Sequence, residues 1–160
     1  FFIIHLFCFM DFSKLNLPHI VLKTKLVEGT TQVFDVVRRK YFKLTAEEWV
    51  RQHFIHYLNM HKNYPFGLMA VERMIKYNNL KIRADIVVYN SKGVPELIVE
   101  CKAPNIKITQ DVFDQIARYN FQLKVRYLIV TNGINHFCCE MDYTRNKIIF
   151  LEEIPIFNLY

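Results

Sequence analysis

Residues 81–103, KIRADIVVYNSKGVPELIVECKA, contain the pattern that decides the fold. Two apolar runs rich in Val and Ile flank the turn-forming stretch Ser91-Lys92-Gly93, which is typical of a β-hairpin. The second run ends in LIVECK, where Glu100 and Lys102 stand two residues apart and therefore share one face of the strand. An apolar strand thus ends with an acid and a base side by side.

The expected register of this hairpin adds a third charged residue. If the hairpin is centred between Lys92 and Gly93, Asp85 lies directly opposite Glu100, about 5 Å away and on the same face. A one-residue slip would move Asp85 to the other face. Two facing carboxylates repel each other unless a cation neutralises them, and either Lys102 or a divalent ion such as Mg²⁺ would do so. The alternative is a surface ion-pair cluster at a sheet edge.

Helical and strand-like patterns surround the hairpin. Thr45 and Glu48 fit a capping box, and apolar residues then recur at helical spacing, which predicts a helix over about 46–61. A strand-like run at 68–76 precedes the hairpin, and a second helix is expected in 109–120. VRYLIVTNG then reads as a buried strand. This order predicts an α/β fold with an α-β-β-β-α-β core, in which helices flank a mixed sheet.

Extra hairpins are expected at both ends of this core. IVLKTKLVEGTTQVFDVV predicts two short strands near the N-terminus, and HFCCEMDY with KIIFLEE predicts a C-terminal pair. The apolar residues 1–9 are too few to span a bilayer, which takes about 20 residues. Our hypothesis is that they are an upstream extension of the reading frame or disordered, with Met10 as the start; a short apolar strand is the alternative. Residues 10–160 are expected to form one domain.

Composition sets the broad class. The chain has 160 residues, of which 52% are hydrophobic and 22% charged, and this balance argues against long disorder. Its 21 Lys and Arg against 15 Asp and Glu give a net charge of +6, which is compatible with a polyanionic partner. The sequence contains no C-x-x-C, and the adjacent Cys138 and Cys139 would point to opposite faces of a strand. These features favour reduced thiols in a cytoplasmic protein without a membrane segment.

Two residues of the second predicted helix complete an ordered set. Gln115 and Tyr119 are four residues apart and share the face opposite the apolar one. Asp85, then Glu100-Cys101-Lys102, then Gln115-x-x-x-Tyr119 resembles the PD-(D/E)xK nuclease superfamily in its Q-x-x-x-Y branch. Over about residues 38–152 the chain resembles the N-terminal nuclease domain of type I restriction enzyme R subunits.

The resemblance implies a restriction-endonuclease-like fold and Mg²⁺-dependent DNA cleavage, with Mn²⁺ as a substitute ion. It implies Asp85 and Glu100 as metal ligands, Lys102 as the catalytic lysine, and Gln115 and Tyr119 as supporting residues of the site. DNA is the implied partner, in a homodimer or in a larger restriction or DNA-processing complex. The chain has no G-x-x-x-x-G-K-[ST], so the ATP-driven motor of whole R subunits is not carried over.

Other residues have two interpretations each. The family often carries an acid in its first helix, and Glu48 matches that position as a third candidate metal ligand; its alternative is a purely capping role. Glu72 is expected to support the site or face solvent, and Arg83 to contact phosphate or be solvated. RRKYF (38–42) mixes basic and aromatic residues as nucleic-acid surfaces do, and a plain basic strand is the alternative.

Two other functions stay open beside the nuclease. The first is a non-catalytic nucleic-acid-binding accessory module of a larger DNA-processing complex. The second is a purely structural protein in which the charged cluster is a chance ion-pair arrangement. Tight, salt-dependent DNA binding would count against the second.

Overall fold

The computed structural model describes residues 12–158, apart from the side chains of Tyr77, Leu80 and Tyr119. The hypotheses on residues 1–9 therefore lie outside the described residues.

A small sheet and a helix come first along the chain. Their elements are β1 (Thr24–Val27), β2 (Thr30–Asp35), β3 (Lys40–Lys43) and α1 (Ala46–Lys62). A larger sheet and a second helix follow, after a 3₁₀ turn at Phe66–Leu68. Their elements are β4 (Met69–Tyr77), β5 (Leu80–Tyr89), β6 (Pro95–Cys101), α2 (Gln110–Leu123), β7 (Tyr127–Thr131), β8 (His136–Asp142) and β9 (Lys147–Leu151).

The two sheets differ in size and topology. The first is an antiparallel meander of β1, β2 and β3, and the second contains β4 to β9 in chain order. Strands β6 and β7 are parallel, with α2 as their crossover, and the other neighbours are antiparallel. The predicted α-β-β-β-α-β core is confirmed as α1-β4-β5-β6-α2-β7. The C-terminal hairpin β8-β9 extends the same sheet, and RRKYF supplies a third strand to the predicted N-terminal pair.

Helix α1 begins and ends where local chemistry requires. The Thr45 hydroxyl accepts a hydrogen bond from the Glu48 backbone N–H at 3.1 Å, which satisfies one free donor of the first turn. Asn63 adopts a left-handed φ of 61° and ends the helix. Its apolar side is fully buried and consists of Val50, Phe54, Ile55 and Leu58.

Helix α2 has the same kind of start. Thr109 is its N-cap and accepts from the Val112 backbone N–H at 3.3 Å. Phe113 and Ala117 lie on the buried side, while Gln115 is exposed. The predicted division of this helix into an apolar and a polar face is confirmed for the described side chains.

The six-stranded sheet is covered on both faces, which gives three layers. Alternate residues of β6 and β7 point to opposite helices, as strand geometry requires. The residues that pack in the α1 layer are Leu97, Val99, Cys101 and Ile129. The residues that pack in the α2 layer are Ile98, Leu128 and Val130. Cys138 and Cys139 also divide between the two layers, as predicted.

The register predicted for the β5-β6 hairpin is confirmed over residues 86–88, but its predicted centre between Lys92 and Gly93 is wrong, because the register shifts between Val88 and Tyr89 and Tyr89 pairs with Pro95. Ile86 pairs with Val99 and Val88 with Leu97, in the alignment that places Asp85 opposite Glu100. The ladder stops before that last pair, and the Asp85 carboxylate itself accepts the Cys101 backbone N–H at 2.7 Å. A side chain therefore takes the hydrogen bond that a backbone carbonyl takes elsewhere in the ladder.

Strands β4 and β5 change the face that they bury at the same position. Val71 and Ile86 pack in the α1 layer, whereas Ile75 and Ala84 pack in the α2 layer. Between them Glu72 has a φ of 51°, which a residue with a Cβ rarely adopts. Asp85 occupies the register position opposite Glu72 on β5. The buried face of the β4-β5 hairpin therefore changes from the α1 layer to the α2 layer at these two acids.

None of the helices within residues 12–158 is long and apolar enough to cross a membrane.

Candidate active site

Glu100 and Lys102 meet at the end of β6. The Lys102 ammonium donates to Glu100 Oε1 at 2.7 Å, and both side chains are partly exposed. The Lys102 backbone N–H donates to the Thr131 carbonyl at 2.8 Å, which anchors the residue to the neighbouring β7. The pair predicted from LIVECK therefore forms, and two strands hold it.

Asp85 lies beside this pair with both of its oxygens engaged. Oδ1 accepts from the Arg51 guanidinium at 2.7 Å, and Oδ2 accepts from the Cys101 backbone N–H at 2.7 Å. The side chain is 14% exposed. Contacts from helix α1 and from strand β6 thus fix the carboxylate.

The charges of the cluster shift two pKa values upward. Burial raises the pKa of Glu100, the charge of Asp85 raises it further, and Lys102 offsets only part of this. Burial alone would lower the pKa of Lys102, but its hydrogen bond to Glu100 and the charges of Glu100 and Asp85 outweigh burial and raise it. The site therefore contains a firmly protonated lysine next to two carboxylates that repel each other.

A cleft opens between this strand end and α2. Glu100, Lys102 and Gln115 line it together, with Arg83 and Asn120 among the other polar groups. Three of the five predicted site residues therefore share one cleft. Asp85 is not one of its lining residues, because its carboxylate is bonded to Arg51 of α1 and to the Cys101 backbone. Tyr119 belongs to α2 by its backbone, but its side chain lies outside the described residues.

Asn120 is a cleft residue that the sequence did not single out. It is 3% exposed, and its side-chain Nδ2 has no hydrogen-bond partner among the described residues. A buried donor without a partner is costly unless a ligand or water satisfies it. Its place directly after the Q-x-x-x-Y motif was the available sequence signal.

Glu48 is placed in a different environment, which we call the arginine–carboxylate network. The residues that form it are Asp35, Arg38, Glu48, Arg51, Gln52 and Glu72, and it ends at Asp85. Glu48 accepts from Arg38, from Arg51 and, at 2.8 Å, from Gln52, and it is 5% exposed. Its side chain therefore makes ion pairs in place of the reciprocal bond of the predicted capping box.

Arg51 joins the network to the site. Its guanidinium donates to Glu48 and to Glu47 at 2.8 Å, and to Asp85 at 2.7 Å. Burial alone would lower the pKa of Arg51, but the charges of Asp85 and Glu48 raise it overall, so its charge is permanent. Sequence reasoning missed this residue, although its spacing of three and four from two acids is a helix ion-pair signal.

The other end of the network reaches the small sheet. Arg38 donates from Nε to Asp35 at 2.7 Å and from Nη1 to Glu72 at 3.0 Å. Glu72 also pairs with the exposed Arg83 at 2.9 Å. The turn between β2 and β3 is thereby tied to the two acids at which the large hairpin turns, which is the supporting place expected for Glu72.

Two carboxylates near the end of β6, Asp85 and Glu100, are the residues that would hold a hard cation. Within the described part of the chain, no group of three or more His, Cys, Asp or Glu side chains is arranged to hold a metal ion. Mg²⁺ needs no such group, because it commonly takes one or two carboxylates and completes its shell with water and phosphate oxygens. Asp85 and Glu100 supply two carboxylates whose mutual repulsion a cation would relieve.

Known proteins similar to this chain include a protein family and a solved structure. Residues 46–155 match the model of a family described as the type I restriction enzyme R protein N terminus. A solved structure described as a fragment of a putative HsdR subunit of a type I restriction enzyme from Vibrio vulnificus YJ016 is similar over 70% of this chain, with 22% identity and a TM-score of 0.48. This chain covers 24% of that one, about a quarter of its length. No curated protein matches the chain.

Proposed function

Because this chain belongs to the family of the type I restriction enzyme R protein N terminus, we propose that it is a metal-dependent deoxyribonuclease that hydrolyses phosphodiester bonds. The observation that carries the proposal is the cleft in which Glu100, Lys102 and Gln115 converge beside Asp85. The resemblance seen in the sequence agrees with the family match, and the motif residues lie within the matched stretch.

Asp85 and Glu100 are the residues that would hold Mg²⁺, or Mn²⁺ in its place. When bound, the ion would polarise the scissile phosphate and lower the pKa of the attacking water. The two carboxylates are held differently, since Asp85 accepts from Arg51 and from the Cys101 backbone, whereas Glu100 contacts only the partly exposed ammonium of Lys102 among the described side chains. We infer that Asp85 sets the position of the ion and that Glu100 adjusts to it.

Lys102 acts as a cation and hydrogen-bond donor in this proposal. Its raised pKa keeps the ammonium protonated near neutral pH, so it does not serve as a general base. A fixed positive charge next to the phosphate stabilises the negative charge that builds up in the transition state. The same ammonium can orient the water through one of its N–H groups.

The α2 side of the cleft supplies neutral donors. We infer that the Gln115 amide and Asn120 Nδ2, which has no partner among the described residues, donate to phosphate oxygens of the bound strand; their shared place in the cleft supports this. Such contacts hold the backbone in register without reading its sequence. The supporting role of Tyr119 stays a prediction.

The metal role predicted for Glu48 also stays a prediction, and its contacts support another role. Glu48 holds Arg51, and Arg51 holds Asp85. We propose that this chain of ion pairs positions Asp85 from behind. DNA is the proposed substrate. The proposed setting is a larger restriction or DNA-processing complex in the cytoplasm, with a homodimer as the alternative assembly.

The decisive experiment pairs metal binding with cleavage. Mg²⁺ and Mn²⁺ are titrated calorimetrically into the wild-type chain and into Asp85→Asn, and the same samples are incubated with plasmid, linear and branched DNA. We expect metal binding and metal-dependent nicking by wild type, and loss of both in Asp85→Asn. Thermal unfolding of the variant serves as the control for folding.

Two results would contradict the proposal. Wild-type protein that binds neither ion would make the strand-end charges an ion-pair cluster. Metal and DNA binding without cleavage of any substrate would support the accessory nucleic-acid-binding module instead.

A further inference from the structure

The small sheet carries a surface of its own, outside the stretch matched by the family model. Cross-strand register decides which side chains share its two faces. Val33 and Asp35 lie on the inner face and are fully buried. The outer face, which we call the basic–aromatic face, consists of Lys23, Lys25, Gln32, Phe34, Tyr41 and Lys43.

The face is built as two rows across the strands. One row runs Lys25, Gln32, Lys43, because Gln32 pairs with both lysines. The other row has Phe34 paired with Tyr41, and the backbone of Phe34 bonds to Lys23 at 2.8 Å. In the first row, Lys25 on β1 and Lys43 on β3 are thus separated by Gln32 on β2.

Two of the lysines are held by the aromatic rings beneath them. Lys25 Nζ lies 4.0 Å from the centroid of the Tyr41 ring, and Lys23 Nζ lies 5.3 Å from that of Phe34. The two rings are half-buried and pack edge to face at 5.3 Å. Such cation–π contacts restrict a long side chain before any partner arrives, which lowers the entropy lost on binding.

All three lysines lack an acidic partner among the residues that the structure describes. Lys23, Lys25 and Lys43 are exposed, and within residues 12–158 none of them forms a salt bridge. No carboxylate belongs to this face as the register defines it. The arginines of the neighbouring network, in contrast, are each paired with acids. The face therefore presents positive charge that only a partner can neutralise.

The chemistry of the face favours a phosphate backbone over other partners. Strands lie about 4.8 Å apart, so the backbone positions of Lys25 and Lys43 are on the order of 10 Å apart. The Lys25 ammonium lies over Tyr41, on the same strand as Lys43, so both charges can reach neighbouring phosphates of one nucleic-acid strand. The rings lie under the lysines, which leaves neither an open stacking platform for bases nor a pocket for the apolar anchor of a protein partner. We propose that the basic–aromatic face binds the phosphate backbone of DNA independently of sequence, as a second contact outside the catalytic cleft.

The proposal rests on the proposed function only for its choice of DNA, and binding can be measured without cleavage. A fluorescein-labelled duplex is titrated with the full chain in EDTA, and anisotropy is followed between about 50 and 200 mM KCl. The test variant is the double substitution Lys25→Gln and Lys43→Gln. The matched control, Lys92→Gln with Lys147→Gln, removes the same charge from exposed lysines elsewhere that also lack a described salt bridge.

We expect the test variant to lose about 1.8 from the slope of log affinity against log salt, which is two phosphate contacts, and to bind ten- to about a hundredfold more weakly near 0.1 M salt. The control should keep the wild-type slope. An unchanged slope in the test variant, or an equal loss in both variants, overturns the proposal, because net charge alone would then explain binding. Circular dichroism checks that both variants fold, and single Lys25→Gln and Lys43→Gln replace the double variant if it does not.

Failure of this inference and failure of the proposed function give different results. A chain that binds DNA through the face but never cuts it contradicts the nuclease alone. A chain that cuts DNA while the test variant binds like wild type contradicts the face alone.

Discussion

Carboxylates cluster at two places in this molecule, and the two places neutralise them differently. In the arginine–carboxylate network, Asp35 and Glu48 are buried and each accepts hydrogen bonds from an arginine and from Gln52. In the cleft, Glu100 is partly exposed and its described side-chain partner is Lys102 alone. A carboxylate in the network thus accepts several hydrogen bonds, whereas the Glu100 carboxylate in the cleft can still accept more.

Asp85 belongs to both places. Arg51 of the network holds one of its oxygens, while its charge raises the pKa of Glu100 in the cleft. The buried carboxylates of the network each accept from several donors, although Arg51 Nε and Gln52 Oε1 have no partner among the described residues. The network can therefore position Asp85, while Glu100 keeps free acceptor capacity. We therefore expect the network acids to contribute to stability and the cleft acid Glu100 to contribute to catalysis.

The largest effect is expected from breaking the network. Arg51→Met keeps an unbranched apolar stem but removes the counter-charge of Asp85 and leaves Glu48 with Arg38 alone, in a buried setting. Removing one partner of such a pair costs about 3–5 kcal/mol of unfolding free energy. Urea denaturation measures this loss.

Arg83→Met is the matched control for that loss. The Arg83 side chain is 62% exposed and pairs with Glu72 at 2.9 Å, so its removal should cost no more than about 1 kcal/mol. If both variants lose the same stability, the network is no more structural than a surface ion pair.

The next effect concerns the cleft alone. Lys102→Ala removes the ammonium proposed to stabilise the transition state, and a lost donor of this kind lowers the cleavage rate about 100- to 1000-fold. Its side chain is 30% exposed, so unfolding free energy should fall by less than about 1 kcal/mol. Plasmid nicking and urea denaturation measure the two quantities.

Lys107→Ala provides the control for Lys102→Ala. Lys107 is exposed in the loop that follows β6. The Lys107→Ala substitution should therefore leave the cleavage rate and the unfolding free energy unchanged. Equal nicking by Lys102→Ala and wild type would remove Lys102 from the mechanism. A large loss of stability would instead make the lysine part of the structural network.

Much of the core fold and part of the candidate site could be predicted from the sequence. The core order, both helix caps and the β5-β6 register followed from local signals, namely turn residues, capping residues and apolar periodicity. Glu100 and Lys102 followed because alternation within one strand fixes their shared face. Placing Gln115 in the same cleft required the family resemblance, because its helix packs there only through the tertiary fold.

Residues that depend on long-range pairing were less accessible. Arg38 and Arg51 meet at Glu48 from a turn and a helix, and no local pattern specifies that meeting. Glu48 satisfied a capping rule in the sequence, but burial with two arginines overrides the reciprocal bond of that rule. The left-handed φ of Glu72 is likewise a product of the twist of the whole hairpin, since Glu has no preference for that conformation.

The smallest predicted effect is the pH response of the cleft, and Glu100→Gln isolates it. The pKa of Glu100 is raised in the folded state, so the folded chain binds this proton more tightly than the unfolded chain. Its carboxylate therefore reduces stability progressively as pH rises above the ordinary glutamate value of about 4.5. Glu100→Gln lacks this penalty, and its stability relative to wild type should increase between that pH and neutrality.

A histidine on the α1 side should respond in the opposite direction. Burial lowers the pKa of His136, which packs against Phe54 of α1, so its contribution to stability is complete above about pH 6.5 and is lost as pH falls further. Urea midpoints of wild type, Glu100→Gln and His136→Asn at a series of pH values separate the two responses. If the difference between Glu100→Gln and wild type does not change with pH, Glu100 is already neutralised like the acids of the network. The cleft would then have no unsatisfied negative charge to offer a cation.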